Sequence, residues 1–286
     1  GIKLQTYSML EFGKYNRLKV LREADFGVYL DDGDKGILLP IRFVPKGLKV
    51  DDEVDVFVYH DGEDRPIATT QKPYAQVGEI ANLKVVDVTP KGAFMDFGLM
   101  KDLFVATKQQ RTNMRPNCYY LVKLYIDEQT GRIAATEKFD HTLQNDNLTV
   151  KERDEVDLIV YRRTDIGYVV IINNQHTGVI HHNEIYRPIQ VGDKFKGTIK
   201  KIYEDTNNID VVAGRMGYSN KVTDEASKIL QLLKDNRGFL PFSDKSSPED
   251  IYDYFKMSKK VFKMTLGNLY KERKIEFVKA GIKLID

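Results

Sequence analysis

Cysteine is almost missing from this chain: Cys118 is the only one in 286 residues. A single thiol excludes an internal disulfide and a cysteine-based zinc site, and it suits a reducing compartment. Cys118 has no obvious base partner and stands where a strand begins, so a buried small side chain is expected there. Long hydrophobic runs are missing as well. None approaches the roughly 18 residues that would suggest a membrane span. No charged-then-apolar leader is visible, which argues against secretion. A cytoplasmic location with no membrane partner is therefore expected. There is also no large excess of one charge, since 44 Lys and Arg against 42 Asp and Glu leave a net +2. A polyanionic partner would have to be met by local basic patches rather than by the field of the whole molecule.

Catalytic signatures are equally scarce. The chain has no phosphate-cradling GxxxxGK[ST] loop and no G-x-S-x-G elbow. His176, His181 and His182 lie close together, but no carboxylate stands at a recognisable ligand spacing from them. Asp31, Asp32 and Asp34 are interleaved with Gly33 and Gly36, which reads as a hairpin turn. The expectation is a protein that is not an enzyme, with no catalytic residue, no metal, no cofactor and no small-molecule substrate.

What the chain does have is short apolar runs, rich in β-branched and aromatic residues and bounded by Gly, Pro, Asp and Asn. That is the pattern of strands joined by tight turns. It is clearest from Gly78 to Thr136, where five such runs suit a small closed barrel of the OB type. The same order precedes it, from about Lys14 to Thr70. Ala68-Thr69-Thr70 aligns with Ala134-Ala135-Thr136, and Val54-Asp55-Val56 with Tyr120-Leu121-Val122, at one offset. A whole unit that repeats is a repeated domain. Val54 to Tyr59 alternates and predicts a half-buried strand. A third, less regular copy begins with Glu155 to Tyr161, and its Asp165-Ile166-Gly167 mirrors Asp25-Phe26-Gly27. Linkers are expected at Gln71 to Ala75, His141 to Asn147 and Gly214 to Lys221.

From Thr223 the period changes from two to about 3.6. Ala226, Ile229, Leu230 and Leu233 share a helical face that ends at Gly238. Gly238 to Phe242 reads as an edge strand. Ser247 before Pro248 and Glu249 is a helix start, and Ser258 caps another helix with Val261, Phe262, Thr265, Leu266 and Leu269 facing inward. Ile275 to Val278 and Ile282 to Ile285 form a hairpin. Helix, strand, helix, helix, hairpin is the order of a winged helix-turn-helix. The predicted fold is mainly β with a small α+β C-terminal domain: three tandem five-stranded OB-type barrels followed by a winged helix. The domains are placed at residues 1–72, 73–143, 144–215 and 222–286.

These features carry a family resemblance. The three copies resemble the RNA-binding domain named after ribosomal protein S-one, the middle one best, through Lys91-Gly92-Ala93-Phe94, Asp102-Leu103-Phe104-Val105 and Tyr125-Ile126-Asp127 to Gly131-Arg132-Ile133. The whole chain resembles the bacterial conserved virulence factor B family. Gly13-Lys14-Tyr15-Asn16, Asp25 to Leu30, Gly238-Phe239-Leu240-Pro241, Asp244 to Pro248 and Ser258-Lys259-Lys260 carry that resemblance. It implies a non-catalytic RNA-binding regulator of gene expression. It also implies a binding face with Phe26 and Tyr29 in the first copy, Lys91, Phe94, Asp127 and Arg132 in the second, and His181 in the third. Exposed aromatics would stack on bases and basic groups would meet phosphates. The third copy has Ile166 and Val169 where aromatics are expected. The competing account of Phe26, Tyr29 and Phe94 is that they are ordinary barrel aromatics.

The C-terminal domain adds a basic cluster of Lys259, Lys260, Lys263, Lys271, Arg273 and Lys274, with Glu272 its one acid. Lys260, Lys263, Lys271 and Lys274 are expected to face outward together, on the helix that in DNA-binding relatives enters the major groove. A solvated face would need no partner. Lys194, Lys196, Lys200 and Lys201 form a second basic stretch. Single-stranded RNA is the expected partner. The alternatives are DNA bound through the winged helix, and a ribosome-associated or protein-interaction scaffold.

Overall fold

The computed structural model of the chain describes residues 10–185, 187–214 and 224–285. The first barrel comprises β1 (Tyr15–Ala24), β2 (Gly27–Leu30), β3 (Ile37–Pro40), β4 (Glu53–His60) and β5 (Pro66–Thr69). The second comprises β6 (Ile80–Thr89), β7 (Gly92–Asp96), β8 (Leu103–Ala106), β9 (Tyr119–Ile126) and β10 (Ile133–Thr136). The third comprises β11 (Glu155–Arg163), β12 (Gly167–Ile172), β13 (His176–His181), β14 (Lys194–Ile202) and β15 (Ile209–Ala213). Each is closed, and each runs in the order first, second, third, fifth, fourth strand. That is the OB arrangement expected from the repeat.

Two devices recur at one position in all three barrels. The first long strand carries a register shift, at Val20/Arg22, Val85/Asp87 and Val160/Arg162. Such bulges bend a strand enough to close a small barrel. The second strand opens on glycine because the third strand passes too close for a side chain. A Cβ would lie 2.0 Å from the Leu39 carbonyl at Gly27, 2.4 Å from that of Val105 at Gly92, and 2.0 Å from that of Ile180 at Gly167.

The barrels are not beads on a string. In β4, Val54, Val56 and Val58 point inward, but Phe57 and Tyr59, on the outer face, are buried too. The expectation of a half-buried strand is corrected here. Phe57 meets Phe97 edge to face at 6.5 Å, and both Phe57 and Tyr59 belong to the apolar cluster of the second barrel. Between the second and third barrels, Ile80, Phe139, Ile159 and Ile171 form another buried cluster. There the Ile80 N–H donates to Asn174 Oδ1 at 2.8 Å. The connectors are tied down as well. Ala75 is buried, and the Asn145 amide donates to the carbonyls of Thr177 and Asn207. The third expected linker lies, apart from Gly214, outside the described residues.

The C-terminal unit is α1 (Asp224–Asp235), β16 (Phe239–Leu240), α2 (Pro248–Phe255), α3 (Lys259–Lys271), β17 (Ile275–Val278) and β18 (Gly281–Leu284), with the sheet ordered β16-β18-β17. Both expected caps form: Ser247 Oγ accepts from Asp250 N–H at 3.1 Å and Ser258 Oγ from Val261 N–H at 3.2 Å. Among the described residues its core, built on Ile229, Leu233, Phe255, Phe262 and Leu266, contains no barrel residue.

Cys118 is exposed, against expectation. It sits in the turn before β9, after Asn117 at φ 66°. Its carbonyl accepts the Val85 N–H at 2.9 Å, while residues 115–119 stay at the surface. His176 is fully buried, with Nδ1 2.6 Å from the Gln144 carbonyl and Nε2 2.9 Å from Thr149 Oγ1, so its ring serves packing. Asp31 and Asp32 accept from the N–H groups of Gly33, Asp34 and Gly36, each at 2.9 Å, which is the hairpin turn read from the sequence. Among the described residues there is no group of three or more His, Cys, Asp and Glu able to hold a metal. No described helix is long and apolar enough to cross a membrane.

Candidate nucleic-acid interface

Strand pairing fixes which side chains share an outer face. In the first barrel Arg22 lies opposite Tyr29, Tyr29 opposite Leu38, and Leu38 opposite Ile67. The matching row in the second barrel is Asp87, Phe94, Phe104 and Ala134. In the third it is Arg162, Val169, Val179 and Asp210. Tyr29, Phe94 and Val169 therefore occupy one structural position, and the barrel interiors are filled by their neighbours in sequence.

The three positions differ in chemistry. Phe26, at the rim before β2, is 76% exposed. Tyr29 is half-buried, with the Arg22 guanidinium 4.3 Å from its ring centroid, so the first barrel couples a ring to a cation. Phe94 is half-buried against Phe104, with ring centroids 5.3 Å apart at 48°. Lys91 is exposed at the turn before β7. This second platform is acidic, however. Asp87 faces Phe94 across the strand pair, and burial together with the nearby charges of Asp96 and Asp87 pushes the Asp102 carboxyl above its ordinary range. Rings are available there, and Lys91 at the turn is left to meet a phosphate against the field of these acids. The third barrel offers aliphatic side chains, with Ile166 exposed at the rim.

The late-turn residues have structural work. The Asp127 carboxylate accepts the Gln129 N–H at 2.9 Å, and its own N–H donates to the Arg132 carbonyl at 2.9 Å. Arg132 pairs with Asp64 of the first barrel. Lys101, whose pKa burial lowers, donates to the carbonyls of His60 and Asp61 at 3.0 Å in the same seam. Arg132 thus ties two barrels together while its guanidinium stays about half exposed. His181 is on the outer face, with Nε2 2.8 Å from Asp210 Oδ1, and Asp210 also accepts from the Tyr203 hydroxyl at 2.8 Å. Of the second basic stretch, Lys196 pairs with Asp157 at 2.6 Å, Lys200 with Glu184 at 2.5 Å, and Lys201 lies 4.6 Å from the Tyr203 ring.

In the winged helix, Lys260, Lys263 and Lys271 are exposed on α3 and Lys259 is half-buried. Arg273 is exposed beyond the helix end, at φ 57°. Lys274 departs from the expected outward set. It lies past the helix, half-buried, 3.6 Å from Glu272, and burial followed by the Arg187 charge lowers its pKa. The remaining lysines share their surface with Met264 at 61% exposure and Tyr270 at 54%, and the Tyr270 ring packs against that of the wing residue Phe277, tilted by 35° with centroids 5.0 Å apart.

Sequence reasoning missed several residues of these surfaces. Arg22 and Phe104 enter through cross-strand pairing, which no local spacing reports. Arg42 and Met100 lie on different barrels, yet Arg42 Nη2 is 2.8 Å from Met100 Sδ. Ile41, whose N–H donates to the Phe26 carbonyl at 2.8 Å, is exposed beside it. Lys245 and Lys279 border, with Lys263 and Phe277, a cleft of about 430 Å³ between α3 and the wing.

Residues 12–71 match the S1 domain family, and residues 227–284 match the CvfB-like winged helix domain. The matched S1 stretch is the first barrel, whereas the sequence motifs pointed most clearly to the second. The chain is 30% identical over 271 residues to "Uncharacterized protein YitL" of Bacillus subtilis, covering 92% of this chain and 90% of that protein. It is 28% identical over 247 residues to conserved virulence factor B of Staphylococcus aureus (strain USA300), covering 83% and 81%. A solved multidomain protein with nucleic acid binding domains from Streptococcus pneumoniae aligns over 96% of this chain and 98% of its own. Its identity is 24% and its TM-score 0.40.

Proposed function

The chain belongs to the conserved virulence factor B family, and from that premise we propose that it is a non-catalytic RNA-binding regulator of gene expression that holds single-stranded RNA. OB-type barrels and winged helices are both nucleic-acid-binding modules. The observation that carries the reading is the outer row of the first two barrels. Phe26 is 76% exposed, and Tyr29 and Phe94 stand at one structural position on the second strands. Stacking on such rings accepts any base, so sequence preference is modest. Phosphate contacts come from Lys91 and from Arg22 beside Tyr29, and the acids around Phe94 leave the second barrel mainly to bases.

The winged helix supports the same partner. Exposed Met264 and Tyr270 among the lysines of α3 suit unpaired bases and a backbone. Lysine also hydrogen-bonds to guanine edges in the major groove of duplex DNA. The lysine-rich α3 is also what favours the second reading, a duplex-DNA regulator. Filter binding of the full chain to single-stranded RNA and to duplex DNA of matched length separates the two. Tighter retention of RNA is expected, and tighter retention of duplex DNA overturns the reading.

A further inference from the structure

A cleft of about 390 Å³ opens between the second and third barrels, away from the row that carries Phe94. Its size is within the range of small-ligand sites, roughly 300–1,000 Å³. Tyr119 and Asn82 enter it from the outer face of the second barrel, where Tyr119 pairs with Lys84 and Asn82 with Leu121. Phe139 comes from the connector. Tyr161 comes from the third barrel, as the extra residue of the β11 bulge. The corresponding bulge residues Leu21 and Val86 are exposed, whereas Tyr161 is turned into the cleft and held there. Its hydroxyl donates to Asp140 and accepts from Arg111 Nη2 at 3.1 Å.

The cleft has little free charge. The Arg111 guanidinium is spent on Asp140 at 2.6 Å and on the Glu137 carbonyl at 3.2 Å, and the Glu137 carboxylate accepts the Arg111 N–H at 2.6 Å. A phosphate therefore gains little here. The Tyr119 ring is 62% exposed, whereas the Asn82 side chain is half-buried and packs its amide against Gly192. Neither the Tyr119 hydroxyl nor the Asn82 amide makes a hydrogen bond among the described residues. A ring on which to stack, beside an amide that both donates and accepts, is the chemistry that reads an unpaired base. Asparagine matches the donor and acceptor of adenine in particular.

We propose that this cleft receives one unpaired base of a bound RNA strand, adenine for preference, stacked on Tyr119 and read by Asn82. The inference rests on the RNA-binding reading above. Its test is fluorescence anisotropy of the full chain with labelled single-stranded oligoadenylate, comparing wild type, Tyr119→Ala, Tyr119→Phe and Phe26→Ala. Tyr119→Ala is expected to weaken binding about fivefold or more, the loss of one stacked base, with an unchanged salt slope. Tyr119→Phe keeps the ring and is expected to bind as wild type. Exposure of the ring makes the melting temperature of Tyr119→Ala a fair check that the fold is intact. If Tyr119→Ala binds as wild type while Phe26→Ala is weakened, the cleft inference fails and the RNA-binding reading stands. If wild type itself binds no RNA, the reading fails and takes the cleft with it.

Discussion

Phe26→Ala separates stacking from packing more cleanly than any other substitution in the barrels. The ring is 76% exposed, so about a quarter of it is buried. Full burial of a phenylalanine stabilises by roughly 1.5–3 kcal/mol, so truncation costs the fold about 0.5 kcal/mol. The backbone contact at this site, Ile41 N–H to the Phe26 carbonyl at 2.8 Å, survives in alanine. The barrels share apolar clusters across their seams and so form one unit of about 200 residues. In a unit of that size 1 kcal/mol moves the melting temperature by about 2–4 °C, which gives a shift of about 1–2 °C. Losing one stacked base costs about 1–3 kcal/mol of binding, roughly five- to 150-fold in affinity. Phe57→Ala is the contrasting variant. Its ring is fully buried in the seam, and removing it costs about 3–5 kcal/mol of stability. Anisotropy with a labelled single strand gives the affinity, and scanning calorimetry gives the melting temperature. A Phe26→Ala protein that melts as wild type and binds RNA as wild type refutes the stacking account of the first barrel.

Phe94→Ala is expected to lose both stability and affinity, because the ring packs 5.3 Å from Phe104 and such a pair adds about 0.5–1.5 kcal/mol beyond its burial. Lys91→Ala is expected to lower the salt slope of binding by about 0.7, one phosphate contact on a single strand, while Phe94→Ala leaves it unchanged. Asp102→Asn tests the acidic platform. Burial and its neighbours Asp96 and Asp87 raise the folded pKa of Asp102 above its unfolded value, so the folded state holds its proton more tightly and stability falls as pH rises through the folded pKa. The variant is expected to melt higher than wild type at pH above that range and to match it well below the unfolded pKa. It is also expected to bind RNA more tightly at neutral pH. An unchanged pH profile would show that the three acids do not act on one another. A fragment ending near Ala213 is expected to be soluble and β-rich by circular dichroism, since among the described residues the winged-helix core contains no barrel residue. An aggregated fragment would mean that the two parts stabilise each other.

Much of the architecture was legible because each barrel strand is short and its alternation is local. The ends of α2 and the start of α3 were legible because Ser247, Pro248 and Ser258 act within one turn. What one strand does to another barrel was not legible. A period of two says that Phe57 and Tyr59 face away from their own barrel interior, but not that Phe97 and its neighbours cover them. The same limit hid Arg22 beside Tyr29, Asp87 beside Phe94 and the Arg132–Asp64 tie, which arise from pairing and docking across long sequence separations. Lys274 looked like part of a helical face because its spacing fits. The helix ends at Lys271, and the chain then turns Lys274 inward. Cys118 was misplaced for a related reason: the strand starts one residue later, and the preceding turn keeps the side chain at the surface.

The central claim is that RNA lies across the outer faces of the first two barrels. Photocrosslinking of the full chain to single-stranded RNA carrying 4-thiouridine, followed by mass spectrometry of the peptides, tests it most directly. The account predicts crosslinks in the peptides that contain Phe26, Tyr29 and Phe94. Crosslinks confined to the third barrel or to the α3 peptide spanning Lys259 to Lys271, with none on the first two barrels, would contradict it.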